Sequence, residues 1–527
     1  MIEGSVSQLT GITLRFVSKA QAKALRTLLE RQTIALEESG SGQAMAKAFS
    51  RTWQSCRNPD STEPGLPQAV QVLRKTNPKG SGKVRAKMKT ITTLLAALVA
   101  GGGPALCVAQ ERTDPSLAAF IASIKAVDNH AHVNSTAPND TDADALPLDP
   151  LPEFPFPTRL RPDNPEWLGA YQALYGYPHR DLGEAHMAEL RATMQKVARE
   201  QGDRFPEWVL DRIGTEVMVA NRVAMGPGLT SERFRWASYV DALMLPLSTK
   251  AEAAVTPDRA VLYPLEAKVL ERYLHDLGLA KVPPTLDAYL RSVLTPTLER
   301  QQRAKCIAVK FEAAYLRGLD FGNPTEADAA GVYAKYVGGG EPSHGEYKAL
   351  QDFLFRRIAR EAGRLGMAVH IHSFEGGGGF FGVSGSDPLL LEPVFNDPTL
   401  RGTNFVIVHG GGAFADHTGA LLMKPNVYAD FSVMPLIYTP NRLARVLRDW
   451  LAQAPGKVLF GSDAFALGPD SGWELAAWLS TRTAREGLTI ALSEMLRDGE
   501  LTRGRAEEIA VMVMRSNAAR LYKLPLR

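Results

Sequence analysis

Cysteine is scarce in this chain of 527 residues. Cys56, Cys107 and Cys306 lie far apart and lack the spacing of a metal-binding motif, so the sequence excludes both a cysteine zinc site and a disulfide framework. Any bound metal ion must therefore be held by histidine, carboxylate or modified lysine side chains. The chain has 10 histidines for that purpose.

An excess of charge of one sign is also absent. The 60 basic and 57 acidic residues leave a net charge of +3, and no basic stripe is interleaved with aromatic residues. Nucleic acid is therefore not an expected partner. The hydrophobic content of 45% and the charged content of 22% are typical of a folded soluble protein, and a homo-oligomer is compatible with them.

Long apolar runs are missing as well. The apolar stretch from Ile91 to Ala100 falls short of the ~20 residues that a membrane span needs. Basic residues come before it, and a Gly-Gly-Gly-Pro break and a small-residue site at Cys107–Ala109 follow it. This order is typical of a secretory signal peptide, with a single membrane-anchoring helix as the alternative.

A signal peptide begins at an N-terminus, and this one starts near Met88. We therefore expect residues 1–87 to be a disordered extension upstream of the true start and residues 88–109 to be the signal segment. The mature protein is then expected to be exported to the periplasm or the extracellular space, without a stable membrane span.

Short β-rich runs alternate with longer helical patterns from Ser116 onward, as in βα units around a parallel sheet. Eight such strands over ~400 residues predict an α/β fold, a (β/α)₈ TIM barrel that occupies residues 110–527. The predicted strands are Lys125–His130, Glu216–Asn221, Tyr239–Leu245, Cys306–Phe311, Ala368–Ser373, Asn404–His409, Val427–Phe431 and Val458–Asp463.

Two insertions interrupt the barrel pattern. Pro138–Pro165, after strand one, contains too many prolines for a helix interior and is expected to be a long loop. Ser248–Arg303, between strands three and four, has a mostly helical pattern. Because the loops that follow barrel strands lie over the active-site face, both insertions are candidate walls of a substrate site.

Ionisable residues collect where the predicted strands end. Strand one ends at His130, and His132 follows two residues later. Side chains at positions i and i+2 of an extended chain point to the same side. Neutral imidazoles are good ligands for zinc and similar divalent ions. A single pair of this kind is also common among ordinary core or surface histidines.

The pattern recurs on three further strands. Strand five ends with His370 and His372, strand six with His409, and strand eight with Asp463. The carboxyl ends of barrel strands meet at one face, where barrel enzymes carry their active sites. Structural core histidines are the alternative, but five of them would need many hydrogen-bond partners. The sequence therefore predicts a site for one or two divalent metal ions, with zinc as the first choice.

The order of these residues resembles the amidohydrolase superfamily, in its amidohydrolase-related branch of metal-dependent hydrolases. That family has an H-x-H pair on strand one, often a lysine on strand four, and then histidines and an aspartate on later strands. In this chain Lys310 lies at the position of that lysine. The segments Gly461–Phe465 and Ser516–Tyr522 are also similar to it. The resemblance runs in order from Ala126 to Leu524, apart from the two insertions.

The resemblance implies a role for each of these residues. The implied metal ligands are His130, His132, His372, Asp463 and, if its side chain is carboxylated, Lys310. Asp463 is also the implied general base toward the attacking water, and His409 is either a ligand of a second metal or the catalytic group that polarises the substrate carbonyl. His370 and Arg317 are the implied substrate contacts. An unmodified Lys310 would instead bind an anionic substrate or extend from the strand end toward solvent.

The implied function is hydrolysis of an amide, lactone or ester bond in a small-molecule substrate by a metal-activated water. The same barrel and ligands also support decarboxylation or sugar-acid isomerisation, and a secreted metal-containing binding protein without turnover is a third reading. A serine esterase is not expected, because His409–Gly412 has no accompanying G-x-S-x-G elbow. Gly382–Ser386 comes closest, but it has serine where the elbow requires its final glycine.

Overall fold

Eight parallel strands form the centre of the structure. The computed structural model describes residues 113–147, 157–374, 382–468 and 472–525. The predicted extension and signal segment lie outside these residues. In chain order the strands are β1 Ala126–Ala131, β2 Thr215–Arg222, β3 Phe234–Tyr239, β4 Cys306–Phe311, β5 Ala368–His372, β6 Phe405–Val408, β7 Val427–Asp430 and β8 Val458–Leu459.

The strands pair in chain order, each parallel to the next. Hydrogen bonds between β1 and the chain that follows β8 bring the two edges of the sheet together. The amide of Asn129 donates to the carbonyl of Phe460 over 2.8 Å, and the amide of His132 donates to that of Ala464 over 2.7 Å. The prediction of a (β/α)₈ barrel is thereby confirmed.

Apolar residues on both faces explain why these segments are strands. All four residues of β6 are buried, as expected for a parallel strand that is covered on both sides. Strand four has the predicted bounds, Cys306–Phe311. Strand four pairs with β3 and β5. In this register Lys310 lies opposite Tyr239 on β3 and opposite His370 on β5.

The prediction for strand three, Tyr239–Leu245, was wrong. The strand is Phe234–Tyr239, and Asp241–Met244 forms a 3₁₀ turn after it. Residues 242–245 are an apolar run and all are buried. Periodicity alone cannot separate a short buried strand from a short buried helical turn. The shift places Asp241 just beyond the strand end, among the residues of the site.

Helices cover the barrel and connect its strands. Within the described residues they are α1 Pro115–Ser123, α2 Glu166–Tyr175, α3 Glu184–Gln201, α4 Phe205–Ile213, α5 Lys250–Val255, α6 Tyr263–Asp276, α7 Leu286–Tyr289, α8 Thr295–Arg303, α9 Glu326–Tyr336, α10 His344–Arg364, α11 Glu392–Phe395, α12 Ala415–Leu421, α13 Met434–Ile437, α14 Pro440–Gln453, α15 Trp473–Arg497, α16 Arg503–Val511 and α17 Asn517–Tyr522. None of these helices combines the length and apolarity needed to cross a membrane.

Local sequence accounts for helix α10. Ser343 and Glu346 form a capping box, in which each side chain accepts a hydrogen bond from the backbone of the other. Leu350, Leu354 and Ile358 follow at a spacing of four residues and are fully buried. They form one apolar stripe, as expected for a helix that packs on the barrel.

The two insertions have the predicted character. The described part of the proline-rich insertion has as regular structure only a 3₁₀ turn, Thr158–Leu160, and the other insertion is helical, from α5 to α8. Ion pairs hold the proline-rich loop in place. The guanidinium of Arg222 donates to both carboxylate oxygens of Asp140, over 2.8 and 2.9 Å. Arg272, from the helical insertion, binds Asp142 over 2.6 Å and so joins the two insertions.

Candidate metal centre

The first and last strands bring three site residues together. The amide of Asp463 donates to the carbonyl of His130 over 2.8 Å, at the point where the barrel closes. This bond places the carboxylate of Asp463 between two imidazoles. Its Oδ1 atom lies 3.2 Å from Nε2 of His130 and 3.4 Å from Nε2 of His132.

Strands β5 and β6 bring the other two histidines to the same place. His372 is the last residue of β5, and His409 directly follows β6. The ring centroids of His409 and His372 are 4.7 Å apart, and those of His409 and His130 are 5.0 Å apart. The sequence prediction that these side chains would meet at one end of the barrel therefore agrees with the geometry. We call His130, His132, His372, His409 and Asp463 the strand-end cluster.

The backbone turns sharply at two members of the cluster. His409 has a φ of 64° and Asp463 a φ of 53°, in the left-handed region that non-glycine residues rarely occupy. The residue after His409 must be glycine, because a Cβ atom at Gly410 would lie 2.2 Å from the ring of Trp450. The glycines of His409–Gly412 thus let the chain turn beside the cluster, as the sequence indicated.

The imidazoles of His130 and His132 are each held from the far side of the ring. Nδ1 of His130 lies 2.8 Å from the amide of Asn221. Nδ1 of His132 lies 3.1 Å from the hydroxyl of Tyr239 and 3.2 Å from Asp144. Such partners fix the orientation of each ring. In both cases the other ring nitrogen, Nε2, is the atom that faces Asp463.

His409 is held by the chain that follows β7. Its Nδ1 lies 2.9 Å from Oγ of Ser432, and the hydroxyl of Ser432 donates to Asp430 over 2.5 Å. Asp430 is the last residue of β7 and is fully buried. Neither residue was predicted from the sequence, although Asp430 ends a strand just as His372 does.

Unpartnered buried atoms show that the cluster suits a metal ion. Nε2 of His130, Nε2 of His372 and Oδ1 of Asp463 are buried and have no hydrogen-bond partner among the described residues. The contact of 3.2 Å between His130 and Asp463 lacks hydrogen-bond geometry. Buried polar atoms normally have partners, and imidazole nitrogen and carboxylate oxygen are ligands that zinc prefers. His130, His409 and Asp463 also have ligand atoms within 4.8 Å of one another.

The electrostatics favour the protonation states that a metal ion requires. Burial lowers the pKa of His130 and His372 well below the usual range, and that of His409 to about 4. Burial acts to raise the pKa of Asp463, but the neighbouring His409, His130 and His132 outweigh it and hold that pKa well below its usual value. Three imidazoles are thus neutral and the carboxyl group is ionised at neutral pH.

His132 differs from the other histidines of the cluster. Burial acts to lower its pKa, but the carboxylates of Asp144 and Asp463 outweigh burial and raise the pKa to about 10. A metal ion that binds to His132 must therefore displace a proton. Asp144 comes from the proline-rich insertion, so this loop contributes directly to the cluster.

Lys310 lies beside the cluster among carboxyl groups. Its side chain is fully buried, and its Nζ atom is 3.5 Å from Oε1 of Glu312. Its charge contributes to the lowered pKa of His130 and His372. Asp241 and Glu266 are buried nearby, and burial raises the pKa of Asp241 to about 7. Sequence reasoning missed these acidic residues, because the error in strand three hid Asp241 and Glu266 lies in the helical insertion.

The two residues assigned to substrate binding are placed differently. His370 is fully buried, one layer below His372, and its Nε2 atom lies 2.7 Å from the hydroxyl of Tyr522. Arg317 is turned away to other partners. Its guanidinium donates to Asp352 over 2.6 Å and to Gln351 over 3.0 Å, and it stacks on Phe321. The structure thus brings neither side chain into the strand-end cluster.

Known proteins share this architecture. The amidohydrolase family profile matches residues 270–524. A putative metal-dependent hydrolase from Lactobacillus casei is 15% identical, with a TM-score of 0.51 over 77% of this chain and 97% of its own. A glucuronate isomerase from Caulobacter crescentus is 14% identical, with a TM-score of 0.52 over 78% of this chain and 94% of its own. At such identities the likeness concerns the fold alone.

The comparison with curated proteins gave no match. The family profile covers the strands from β4 to β8, and with them His372, His409 and Asp463. The H-x-H pair on β1 lies outside that match, and the closed barrel brings it to the same cluster. The sequence profile over residues 270–524 and the barrel fold agree with the resemblance to the amidohydrolase superfamily.

Proposed function

We propose that the protein is a metal-dependent hydrolase that cleaves an amide, lactone or ester bond with water. The observation that carries the proposal is the position of Asp463. Its carboxylate contacts His130 and His132 and has one buried oxygen without a hydrogen-bond partner among the described residues. An ionised carboxylate at that position is suited to accept a proton from water.

His130, His132, His372 and Asp463 would hold the metal ion, and zinc suits this donor set. A bound divalent ion lowers the pKa of water toward ~7 and polarises a carbonyl group. Asp463 then takes the proton of the attacking water and passes it to the leaving group. Because its pKa is held well below the usual value, Asp463 is ready to act as a base at neutral pH.

His409 is proposed to be a further ligand of the metal ion, since one of its ring nitrogens lies within 4.8 Å of ligand atoms of His130 and Asp463. Ser432 holds its Nδ1 atom, so the rest of the ring is available to the cluster. Its lowered pKa keeps the imidazole neutral. A neutral imidazole in contact with His130 and His372 avoids the repulsion that a second positive charge would produce next to a metal ion.

Lys310 is proposed to remain an unmodified ammonium group. Carboxylation would convert its positive charge to a negative one beside Glu312, Asp241 and Asp144, whose charges already act on one another. The positive charge instead pairs with Glu312 over 3.5 Å. Without a carbamate to bridge two ions, a single metal ion is the simpler proposal.

Isomerisation of a sugar acid is the second candidate, because the glucuronate isomerase from Caulobacter crescentus shares the fold. A sugar acid carries a carboxylate that requires a cationic partner. Lys310, whose charge acts on the cluster, already faces Glu312. Because Lys310 is already paired with Glu312, it is not free to bind the carboxylate of a sugar acid. This pairing favours hydrolysis over isomerisation.

The test combines metal analysis with a substrate panel. Protein purified without chelator should contain close to one equivalent of zinc or a similar ion and should hydrolyse some of a set of lactones, amides and esters. Asp463→Asn is the control for turnover by this site. Metal-free protein that is fully active, or turnover of carboxylates and sugar acids alone, would overturn the proposal.

We also propose that the protein is exported and cleaved after Ala109. The support comes from sequence alone: the basic residues, the apolar stretch and the cleavage pattern between Met88 and Ala109. N-terminal sequencing of the mature protein should begin near Gln110. A mature chain that starts at Met1 in the cytoplasm would contradict this proposal.

A further inference from the structure

A chain of buried hydrogen bonds links the C-terminal helix to the strand-end cluster. Tyr522 is the last residue of α17. Its hydroxyl donates to Oδ1 of Asn129 on β1, and the amide nitrogen of Asn129 donates to Oδ2 of Asp430 over 2.6 Å. Asp430 in turn binds Ser432, which holds His409. Asn129, Asp430 and Ser432 are fully buried.

The direction of each hydrogen bond follows from the chemistry of the groups. The carboxylate of Asp430 accepts from four donors: the amides of His409 and Ser432, the Ser432 hydroxyl and the Asn129 side chain. Ser432 thereby uses its only hydroxyl hydrogen. The Nδ1 atom of His409 must then be the donor to Ser432, so its Nε2 atom is unprotonated when the ring is neutral.

The orientation of Asn129 depends on Tyr522. Since the NH₂ group of Asn129 faces Asp430, its carbonyl oxygen faces Tyr522 and needs a donor. The phenol supplies that donor, and its own oxygen then accepts from Nε2 of His370 over 2.7 Å. Without the hydroxyl, the carbonyl oxygen of Asn129 would be buried without a partner, and the amide could turn that oxygen toward Asp430.

We propose that Tyr522 is a positioning residue for the metal centre, which acts through Asn129, Asp430 and Ser432 to fix the Nδ1–H form and the orientation of His409. The inference rests on the proposed function, because it assigns His409 to that centre. Residues of this kind typically change metal affinity or activity by ~10–100-fold when they are altered. Tyr522 acts through three intervening residues, so we expect a change near ~10-fold.

The experiment compares Tyr522→Phe with Tyr428→Phe. Both substitutions delete one hydroxyl. Tyr522 is a buried member of an apolar cluster, and the partly buried Tyr428 packs against the same cluster. Tyr428 takes no part in the chain of hydrogen bonds. The ¹⁵N shifts of His409 in metal-free protein report which ring nitrogen carries the proton, and competition with a chelator measures zinc affinity. Neither measurement depends on turnover.

Tyr522→Phe should mix the two tautomers of His409 and weaken zinc binding by about tenfold, whereas Tyr428→Phe should leave both readouts unchanged. Asn129→Leu breaks the same chain at the next residue and should reproduce the effect if Tyr522→Phe does not fold. A folded Tyr522→Phe protein with wild-type His409 shifts and zinc affinity would overturn the inference, whatever its unfolding temperature. If the wild-type protein hydrolyses none of the lactones, amides and esters, that result would instead count against the proposed function.

Discussion

Asp463 and His130 are joined twice, once through the backbone and once through their side chains. The amide of Asp463 donates to the carbonyl of His130 over 2.8 Å, and Oδ1 of Asp463 lies 3.2 Å from Nε2 of the same histidine. The first contact belongs to the closure of the barrel and the second to the strand-end cluster. The fold and the site therefore depend on the same pair of residues.

Asp463→Asn should separate metal binding from turnover. The amide side chain retains an oxygen that can bind a metal ion, but it cannot accept the proton of the attacking water. We expect kcat to fall by about 10²–10⁴-fold, the usual contribution of a general base, while most of the metal is retained. Steady-state kinetics and metal analysis on the same sample test this, and an Asp463→Asn enzyme with normal kcat would remove Asp463 as the base.

The two histidines of β5 should respond differently to substitution by alanine. His372 belongs to the strand-end cluster and its buried Nε2 atom has no hydrogen-bond partner among the described residues, whereas Nε2 of His370 faces Tyr522. His372→Ala should weaken zinc binding by more than the ~10–100-fold typical of an outer partner, and activity should be lost with the metal. His370→Ala should keep the metal ion. If the His370 variant is empty and the His372 variant is loaded, the assignment is reversed.

Metal affinity should rise with pH because of His132. The pKa of this imidazole is raised to about 10, so it carries a proton at neutral pH that the ion must displace. His130 and His372, with lowered pKa values, are already neutral there. Apparent zinc affinity should therefore increase by up to about tenfold per pH unit from pH 6 upward and level off as the pH approaches the pKa of His132.

Asp144→Asn provides the control for this pH dependence. The substitution removes the carboxylate that raises the pKa of His132 most, so affinity should level off at a lower pH than in wild type. Asp142→Asn, on the same loop, loses only its pair with Arg272 and should leave the profile in place. Chelator competition between pH 6 and pH 10 measures all three proteins, and identical profiles would contradict the role of Asp144.

Gly410→Ala should destabilise the protein more than an ordinary exposed glycine substitution. The new Cβ atom would lie 2.2 Å from the ring of Trp450, at a φ of 54°. The left-handed backbone costs roughly 1–2 kcal/mol for a residue with a side chain, and the overlap adds about 1–3 kcal/mol. Gly278 has a similar φ of 72°, and a Cβ atom there would have no neighbour within 4 Å. Gly278→Ala should therefore cost only the roughly 1–2 kcal/mol of the left-handed backbone. Urea denaturation of both variants measures the difference.

Sequence alone was sufficient for the parts of the site that follow from barrel geometry. Parallel strands end at one face, so His130, His372, His409 and Asp463 could be placed together from their positions in eight predicted strands. Strand three was misplaced because the buried turn at Asp241–Met244 has the composition of a strand.

The groups that hold the imidazoles could not be predicted in this way. Asn221 and Tyr239 come from neighbouring strands and Asp144 from a loop, and each contacts a histidine far away in sequence. No local periodicity marks such a residue, since its role depends on packing between distant segments. Arg317 shows the reverse case: its sequence position suggested substrate binding, whereas its guanidinium pairs with Asp352.

The left-handed backbone at His409 and Asp463 bears on how this protein would change without selection for catalysis. Each position costs of the order of 1–2 kcal/mol that glycine would not incur. A lineage that no longer needed the reaction would gain thermal stability by substituting glycine there, as expected when stability and activity oppose each other. Retention of histidine and aspartate at these two positions in related chains would therefore indicate that the enzyme is still in use.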